Sequence, residues 1–380
     1  MEYARLRPTW VEVDLDAIAH NVSELRRLAP DSQVMAVVKA DGYGHGAQAV
    51  ARTALEAGAT WLGVATVEEG VDLRRVGIVA PTLIFGYVPV EQTGMVLLHG
   101  LRPAVFSLDL ARALEERGAG LKRQARIHLK IDTGMGRVGV RLHELAEFVR
   151  QLRAFPHLEV EGVFTHLATA DEPENPFAQE QLAEFEEALH LLRDMGINPP
   201  VIHAAASAAT MLLPNSHYDL VRAGIAMYGL PPDPALTWPA NLRPALTWRT
   251  KVGLVKEIRT GQTVSYGCTY RAERSERIAS LPVGYADGFP RHLSNKGEVL
   301  IQGRRCPVVG RVCMDQTMVR LPDDVTVSPG DEVVLIGRQG NEVITASDIA
   351  QTTGTINYEV VCGISKRVPR LYRQDGRVQS

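Results

Sequence analysis

The stretch Val37-Val38-Lys39-Ala40-Asp41-Gly42-Tyr43-Gly44-His45-Gly46 joins an apolar run to a glycine-rich turn. The run starts at Val34 and contains only residues of the buried type, and Lys39 stands where it ends. Lysine is among the residues that are least often fully buried, so a lysine at the end of an apolar strand either extends its amine to water or takes part in chemistry. The rest of the chain decides between these two roles.

Outward from this stretch, between residues 30 and 225, short apolar segments alternate with amphipathic ones. Apolar residues at i, i+3 and i+4 predict helices over 47–57, 67–76, 108–117, 142–154 and 177–195. Short β-branched or apolar runs predict strands over 33–39, 61–65, 81–85, 103–107, 125–132, 158–166, 200–203 and 219–222. Eight strands that alternate with helices predict an α/β fold, a parallel (β/α)8 TIM barrel, which we place at residues 13–243.

After residue 243 the pattern changes to short strand-like segments separated by Gly, Pro or Asp turns, with one helical stretch near 347–351. The strand-like segments are 246–258, 277–283, 298–301, 307–312 and 332–336. They predict a C-terminal antiparallel β domain over 244–380, which follows a proline-rich linker. A strand-like segment over 9–15 precedes the barrel pattern, so we assign residues 1–12 to the β domain as well.

An open dinucleotide-binding sheet is the competing architecture, because Gly134-Met135-Gly136-Arg137-Val138-Gly139 matches G-x-G-x-x-G. The match follows a predicted strand, precedes a helix, and has Glu159 and Glu161 roughly 20 residues further on, as the dinucleotide fingerprint requires. It lies far from the N-terminus, however, and its strand ends in Lys130 and Asp132. We therefore favour the barrel.

Composition narrows the class of protein. The chain of 380 residues is longer than one core usually supports, which fits two domains. Forty-one basic and 44 acidic residues give a net charge of −3 without blocks of like charge, which argues against nucleic acid and membrane as partners. We find no leader and no long apolar span, so we expect a cytoplasmic protein. The four cysteines lack C-x-x-C spacing, so we expect neither a disulfide framework nor a metal site.

The C-terminal ends of the predicted barrel strands carry polar residues, and in a (β/α)8 barrel this end builds the active site. Each residue alone has a simple structural explanation, such as a satisfied core histidine or a helix-capping serine. Those separate explanations do not account for the placement of all these residues at the same end of the barrel. The residues are Lys39, Lys130, Asp132, His166, His203, Ser207 and Arg222.

The loops after the last two strands of such barrels often bind a phosphate, because backbone N–H groups converge there. Ser207 and Gly224-Ile225 occupy these loops. A lysine across the barrel mouth from a phosphate site is what pyridoxal phosphate needs, since the amine holds the aldehyde while the phosphate fixes the other end. The sequence thus suggests a cofactor that carries a phosphate.

The stretch around Lys39 also resembles the pyridoxal-phosphate attachment motif of the alanine racemases. The resemblance covers nearly the whole chain, with motifs in both domains. The further matching segments are 130–139 (KIDTGMGRVG), 165–171 (THLATAD), 203–208, 221–230 (VRAGIAMYGL), 264–267 (VSYG), 282–288 (PVGYADG), 310–316 (GRVCMDQ) and 355–359 (TINYE). One departure is Ala206, where the family often carries asparagine, and it changes a supporting contact beside the phosphate serine.

The resemblance implies pyridoxal 5'-phosphate held covalently by Lys39, and a head-to-tail homodimer in which the β domain of one subunit completes the active site of the other. Arg222 matches the partner of the pyridine nitrogen, Arg137 matches a residue near the substrate carboxylate, and Lys130 matches a lysine that is carbamylated in many members. The phosphate-binding positions are matched by Tyr43, Ser207, Gly224, Ile225 and Tyr358. Cys313, Met314 and Asp315 are expected to line the site, Tyr285 to lie at its entrance, and His203 to support it.

Racemisation removes a proton from one face of Cα and delivers one to the opposite face, so it needs a base on each side. The resemblance assigns these bases to Lys39 and to Tyr266 from another subunit. Tyrosine ordinarily titrates near a pKa of about 10, so as a base it needs nearby positive charge or hydrogen-bond donors. We expect His166 to be hydrogen-bonded toward both Tyr266 and Arg222.

The predicted function is the interconversion of L-alanine and D-alanine, which supplies D-alanine for peptidoglycan. Three alternatives stay open: a racemase of broader specificity, a pyridoxal-phosphate amino-acid decarboxylase, and a cofactor-carrying regulatory protein. Arg222 argues against the decarboxylase, which typically places a glutamate at the ring nitrogen. A regulatory protein would need only the barrel, and not the domain that carries Tyr266.

Overall fold

The computed structural model of the protein describes residues 7–378 and contains the predicted (β/α)8 barrel. The strands before the linker are β1 (Trp10–Asp14), β2 (Gln33–Val37), β3 (Trp61–Val64), β4 (Thr82–Ile84), β5 (Arg102–Val105), β6 (Ala125–Lys130), β7 (Leu158–Phe164), β8 (Val201–His203) and β9 (Leu220–Ala223). Strands β2 to β9 are parallel neighbours in the order β8-β7-β6-β5-β4-β3-β2-β9. Each lies within two residues of its predicted bounds.

The barrel is nearly closed between β8 and β9. Backbone hydrogen bonds join Asp219 N to Ile202 O and Arg222 N to Ala205 O, each at 3.0 Å. Every residue of β3, β4 and β9 is buried. Parallel strands covered by helices are buried on both faces, which is why they appear in the sequence as continuous apolar runs.

The helices before the linker are α1 (Leu15–Leu28), α2 (Ala47–Glu56), α3 (Val67–Arg75), α4 (Thr93–Leu98), α5 (Leu108–Leu121), α6 (Leu142–Leu152), α7 (Phe177–Asp194) and α8 (Ser207–Leu212). The prediction missed α1, α4 and α8, of which α4 and α8 have only six residues each and so show little periodicity. Among the described residues, none of the helices is long and apolar enough to cross a membrane.

Among the described residues, the β-rich part of the chain forms three sheets. Its strands are β10 (Leu246–Lys251), β11 (Leu254–Ile258), β12 (Thr263–Val264), β13 (Tyr270–Arg271), β14 (Glu276–Leu281), β15 (Glu298–Ile301), β16 (Arg304–Pro307), β17 (Thr317–Arg320), β18 (Glu332–Gln339), β19 (Glu342–Ile344), β20 (Arg370–Gln374) and β21 (Arg377–Val378). The largest sheet has the order β16-β15-β18-β10-β1-β20-β21, with β19 on β18. The smaller sheets are β11-β14-β17 and β12-β13. The N-terminal β1 therefore pairs outside the barrel, between β10 and β20.

Three details of this part were predicted wrongly. The segment 246–258 is two strands, because Val252 N bonds to Asp331 O and Gly253 N bonds to Ser280 O, which directs the chain from one sheet into another. The predicted strand 307–312 is not formed, and the strand is instead β16, which ends at Pro307 because the chain then leaves β15 for β17, where Val309 N bonds to Met318 O. Two helices are present rather than one, α9 (Ala346–Thr353) and α10 (Asn357–Cys362).

The chain divides into two compact units. The barrel unit comprises Ala17–Gly42 and Ala47–Pro244, and the β unit comprises the described residues up to Asp16, the segment Tyr43–Gly46 and the described residues from Ala245 onward. The short segment was predicted as part of the barrel. It is held in the β unit by contacts such as the hydrogen bond from Arg370 Nε to Gly44 O at 2.9 Å.

Candidate active site

The predicted polar residues of the barrel unit stand at one end of its strands. Lys39 comes two residues after β2, Lys130 and His203 are the last residues of β6 and β8, His166 comes two residues after β7, and Arg222 lies within β9. Because the strands are parallel, their C-terminal ends share one face of the barrel. The predicted placement of these residues at the C-terminal end of the barrel is therefore found in the structure.

The turn after Lys39 has a left-handed backbone. Ala40, Asp41 and Gly42 have φ values of 52°, 52° and 60°, a region that residues other than glycine seldom adopt. Hydrogen bonds fix it, from Gly42 N to Val38 O at 2.9 Å and from Ala40 N to a carboxylate oxygen of Glu69 at 2.7 Å. The amine of Lys39 is thus carried by a rigid segment, and such stored strain is typical of functional sites.

The guanidinium of Arg222 is held by hydrogen bonds at this end of the barrel. Its Nη1 faces Nδ1 of His203 at 3.0 Å, and its Nη2 faces Nδ1 of His166 at 3.0 Å. Nη2 also donates to Thr165 O and Ala204 O, at 3.0 and 2.7 Å. Burial and the nearby Arg137 lower the pKa of Arg222 to about 9, so its guanidinium stays charged at neutral pH. The expected contact between His166 and Arg222 is confirmed.

Positive charge converges on His166. Burial holds the pKa of His166 well below its ordinary value, and Arg222, Arg137, Lys130 and Lys39 lower it further. Burial also lowers the pKa of Lys130 to about 7, with Arg222 contributing in the same direction. A neutral histidine among four cationic side chains marks a place where an anionic ligand is strongly favoured.

The loops after β8 and β9 meet at Ser207. Its buried Oγ accepts hydrogen bonds from Gly224 N at 3.0 Å and Ala226 N at 3.2 Å. Ile225 begins the single helical turn that follows. Ala206 is the N-cap of α8, and its methyl side chain provides no hydrogen bond to the start of the helix.

Two supporting residues were missed by the sequence reasoning. Gln181 of α7 is buried, and its side chain bonds to both Ala168 N (2.8 Å) and His166 O (3.2 Å), which fixes the backbone around His166. His128 lies in the middle of β6 and bonds to His203. Gln181 stands at the i+3 position of an apolar stripe that begins at Ala178, and a polar residue at such a position was the available signal.

The remaining predicted residues lie in the β unit, where several are grouped. Tyr266 is 71% exposed and follows Ser265, which has a φ of 67°. The Oγ of Ser265 lies 3.3 Å from Cys313 Sγ. Tyr285 N donates to Cys313 O at 3.0 Å, so the segments that carry Tyr266, Tyr285 and Cys313 form one cluster.

This cluster continues along the chain from Cys313. Met314 is 54% exposed, and its carbonyl accepts a hydrogen bond from Ala286 N at 3.0 Å. Asp315 bonds to Arg367 Nη2 at 2.6 Å. These bonds fix the backbone and leave the Met314 side chain at the surface of the unit.

Tyr43 and Tyr358 form a second group within the β unit. Their ring centroids are 6.2 Å apart with the planes tilted by 47°. Burial raises the pKa of Tyr43, and the neighbouring Tyr358 adds to the effect, so its hydroxyl stays protonated. A protonated phenol hydroxyl can donate a hydrogen bond.

Comparison with known proteins gives one consistent result. The family models "Alanine racemase, N-terminal domain" and "Alanine racemase, C-terminal domain" match residues 13–232 and 245–372. An alanine racemase of Symbiobacterium thermophilum is 59% identical over 98% of this chain and 99% of its own length. One of Carboxydothermus hydrogenoformans is 48% identical over 97% of this chain and its full length.

Solved structures agree with the sequence relatives. The crystal structure of alanine racemase from Bacillus anthracis with bound L-Ala-P has a TM-score of 0.95 at 43% identity, over 98% of this chain and 97% of that one. The enzyme of Streptomyces lavendulae has a TM-score of 0.93 at 42% identity, over 97% of both chains. Both domains, their order and 98% of the chain are thus matched, and the chain belongs to the alanine racemase family.

Proposed function

We propose that Lys39 and Tyr266 are the two bases that racemise alanine, one on each face of Cα. The racemase activity, an isomerisation, follows from membership of the family. The observation that carries the proposal is the convergence of Lys39, Lys130, Arg137 and Arg222 on a neutral His166, because this concentration of positive charge fits an anionic cofactor and a substrate carboxylate.

The donor set fits pyridoxal phosphate, the cofactor on which the family depends. The amine of Lys39 would hold its aldehyde, and Ser207 with the backbone of Gly224 and Ile225 would hold its phosphate. From the family resemblance, Tyr43 and Tyr358 would add hydroxyl donors to the phosphate. When bound, this cofactor supplies the electron sink that acidifies the Cα–H bond of an amino acid.

Arg222 would face the ring nitrogen of the cofactor. A guanidinium only donates hydrogen bonds and stays protonated, so a nitrogen that faces it has to accept. This weakens the electron sink compared with a carboxylate partner, which keeps charge near Cα and favours reprotonation there. The same feature disfavours a decarboxylase.

Tyr266 needs a positive environment to act as a base, and His166 would provide a donor. Because Nδ1 of His166 faces a guanidinium that can only donate, the proton of the neutral ring is on Nε2. That N–H is directed away from Arg222. We propose that it hydrogen-bonds to the Tyr266 oxygen of a second subunit.

We propose that Arg137 binds the carboxylate of alanine. We propose that Met314 contacts alanine from the other subunit. The structure from B. anthracis has L-Ala-P bound, which supports a site for an alanine-like ligand. Lys130 would position Arg137. Its pKa of about 7 leaves much of the amine neutral, which is the form that reacts with carbon dioxide to give a carbamate.

A homodimer with shared sites is the proposed assembly. The β unit exposes Tyr266, Tyr285, Met314 and Ile356, and large exposed apolar side chains of this kind are typical of surfaces that a partner covers. We further propose that the D-alanine product serves peptidoglycan and that the enzyme is cytoplasmic.

The two-base assignment is tested by solvent exchange. In deuterium oxide, Tyr266→Phe should slow Cα-proton exchange from one alanine enantiomer by about 10²–10⁴-fold, because it removes the base on one face only. Exchange from the other enantiomer should continue through Lys39. Tyr87→Phe is the matched control, because Tyr87 is 70% exposed. Equal losses for L- and D-alanine would refute the two-base scheme.

A further inference from the structure

A chain of buried polar side chains runs through the barrel interior away from Arg222. His203 faces Arg222 through Nδ1 at 3.0 Å, and its Nε2 lies 2.9 Å from Nδ1 of His128. On the far side of His128, Nε2 lies 3.8 Å from a carboxylate oxygen of Glu161. Arg102 holds that carboxylate with two hydrogen bonds, at 2.9 and 3.3 Å.

The protons along this chain have one consistent arrangement. Arg222 can only donate, so Nδ1 of His203 is unprotonated, and the proton of the neutral His203 ring is on Nε2. That N–H points at Nδ1 of His128, which must therefore accept. The proton of His128 is then on Nε2, the atom that faces the negative charge of Glu161. Reversing any one proton would leave two donors or two acceptors face to face.

The packing shows that these rings are held in place. Phe164 stacks on His203 with centroids 4.7 Å apart and planes within 2°, and Trp61 meets the edge of His128 at 5.2 Å. Gly162 leaves the room that His128 occupies, because a Cβ at that position would lie 2.5 Å from the imidazole. Both histidines are fully buried. Rings confined in this way cannot turn to exchange their nitrogens.

The electrostatics agree with neutral rings beside an ionised carboxylate. Burial lowers the pKa of His128, and burial together with the charge of Arg222 holds the pKa of His203 well below its ordinary value. Burial opposes ionisation of Glu161, but the neighbouring His128 and the paired Arg102 bring its pKa to about 2. Nε2 of His128 is buried and makes no full hydrogen bond among the described residues, so its orientation depends on the attraction of Glu161.

We propose that His128 is a positioning residue for racemisation. By accepting the proton of His203, it keeps Nδ1 of His203 free to accept from Arg222, and Glu161 keeps the proton of His128 on the opposite nitrogen. The chain thereby fixes the direction of the Arg222 guanidinium from inside the barrel. This inference rests on the proposed function, in which Arg222 faces the cofactor ring.

The first test is the tautomer itself, measured on wild-type protein. Nitrogen-15 NMR of histidine-labelled protein, with and without pyridoxal phosphate, should show His203 and His128 neutral with the proton on Nε2. Resonances can be assigned by comparison with His203→Asn and His128→Asn. Protonation of either ring at Nδ1 would overturn the proposal. This measurement does not depend on enzyme activity. The variant at position 128 is needed only to assign the resonances.

The second test uses two substitutions of equal shape. His128→Asn keeps an acceptor oxygen where Nδ1 lies, whereas His128→Leu has nearly the same shape and no acceptor. We expect His128→Leu to lower kcat by about tenfold to a hundredfold relative to His128→Asn, because a buried donor of His203 loses its acceptor. In His128→Leu, the nitrogen-15 signals of His203 should also change. Equal kcat and equal His203 signals in the two variants would refute the proposal.

Arg222→Lys separates this inference from the proposed function. If Arg222→Lys impairs racemisation while the two position-128 variants are equal, the positioning role is wrong and the role of Arg222 stands. If Arg222→Lys itself is harmless, the proposed role of Arg222 fails, and with it the reason to orient this side chain. If racemisation is impaired in Arg222→Lys and is lower in His128→Leu than in His128→Asn, the results support the hydrogen-bonded chain from Arg222 to Glu161.

Discussion

Arg222 in the barrel unit is 3% exposed and makes four hydrogen bonds, whereas Tyr266 in the β unit is 71% exposed and follows a serine in the left-handed region. The first side chain is fixed by strands of its own unit. The second is presented at a surface by a strained turn. This contrast is what we expect if Arg222 belongs to a part of the cofactor site that the barrel builds by itself and Tyr266 is contributed to a second subunit, as we propose.

The difference has a consequence for mutagenesis. A substitution in the barrel mouth removes partners of buried charged groups, so it affects both chemistry and the free energy of unfolding. A substitution at exposed Tyr266 leaves few groups unsatisfied, so it should affect chemistry alone. The following predictions examine the two sides of this contrast, in order of expected effect.

Lys39→Ala should give the largest loss. Removal of the proposed base and cofactor attachment point should lower racemisation by about 10³-fold or more. Racemisation can be followed by the optical rotation of alanine. Lys256→Ala is the control, because Lys256 lies exposed on β11 of the β unit. A Lys39→Ala enzyme within tenfold of wild type would show that the barrel mouth does not supply the base.

Arg222→Glu should give a smaller loss of racemisation, about 10²-fold, together with more side reaction. A carboxylate at the ring nitrogen strengthens the electron sink and spreads charge away from Cα. The measurement is the ratio of pyruvate, the product of transamination, to the opposite enantiomer of alanine. Arg222→Lys keeps the charge without the planar fork and serves as the control. An unchanged product ratio in Arg222→Glu would contradict the proposed role.

Lys130 should give the smallest effect, which is measured on stability. Burial lowers its folded-state pKa to about 7 from an ordinary 10.5, so between these pH values the unfolded chain binds a proton that the folded chain has lost. Stability must therefore rise with pH in this window, by about 2 kcal/mol between pH 7 and 9. Denaturant unfolding of wild type and Lys130→Met, in buffer free of bicarbonate, measures the difference. The same slope in both proteins would show that Lys130 is not the cause.

The barrel could be predicted closely because its buried parallel strands are mostly continuous apolar runs, as in β3, predicted over 61–65 and found as Trp61–Val64. β16 could not be predicted, because two of the four residues in Arg304-Arg305-Cys306-Pro307 are charged and the segment has no alternating apolar pattern. The segment 246–258 shows the same limit, since its single apolar pattern does not record that the chain changes sheets at Gly253.

The candidate site, like the fold, could be predicted from the sequence only in part. The placement of Lys39, Lys130, His166 and Arg222 at or near strand ends could be predicted, because the apolar pattern of each strand shows where that strand ends. His128 was not identified, since it bonds to a histidine 75 positions away on a strand that is not its neighbour in the sheet. Nothing in the sequence around either residue indicates that contact.

The most direct test of the central claim, a site completed across two subunits, is complementation between inactive variants. Lys39→Ala and Tyr266→Phe chains, carried on different affinity tags, can be co-expressed and the mixed dimer purified by both tags. One of its two sites would contain both substitutions and the other neither, so the mixed dimer should regain about half of the wild-type activity. A mixed dimer as inactive as its two parents would contradict the account, because both bases would then come from the same chain.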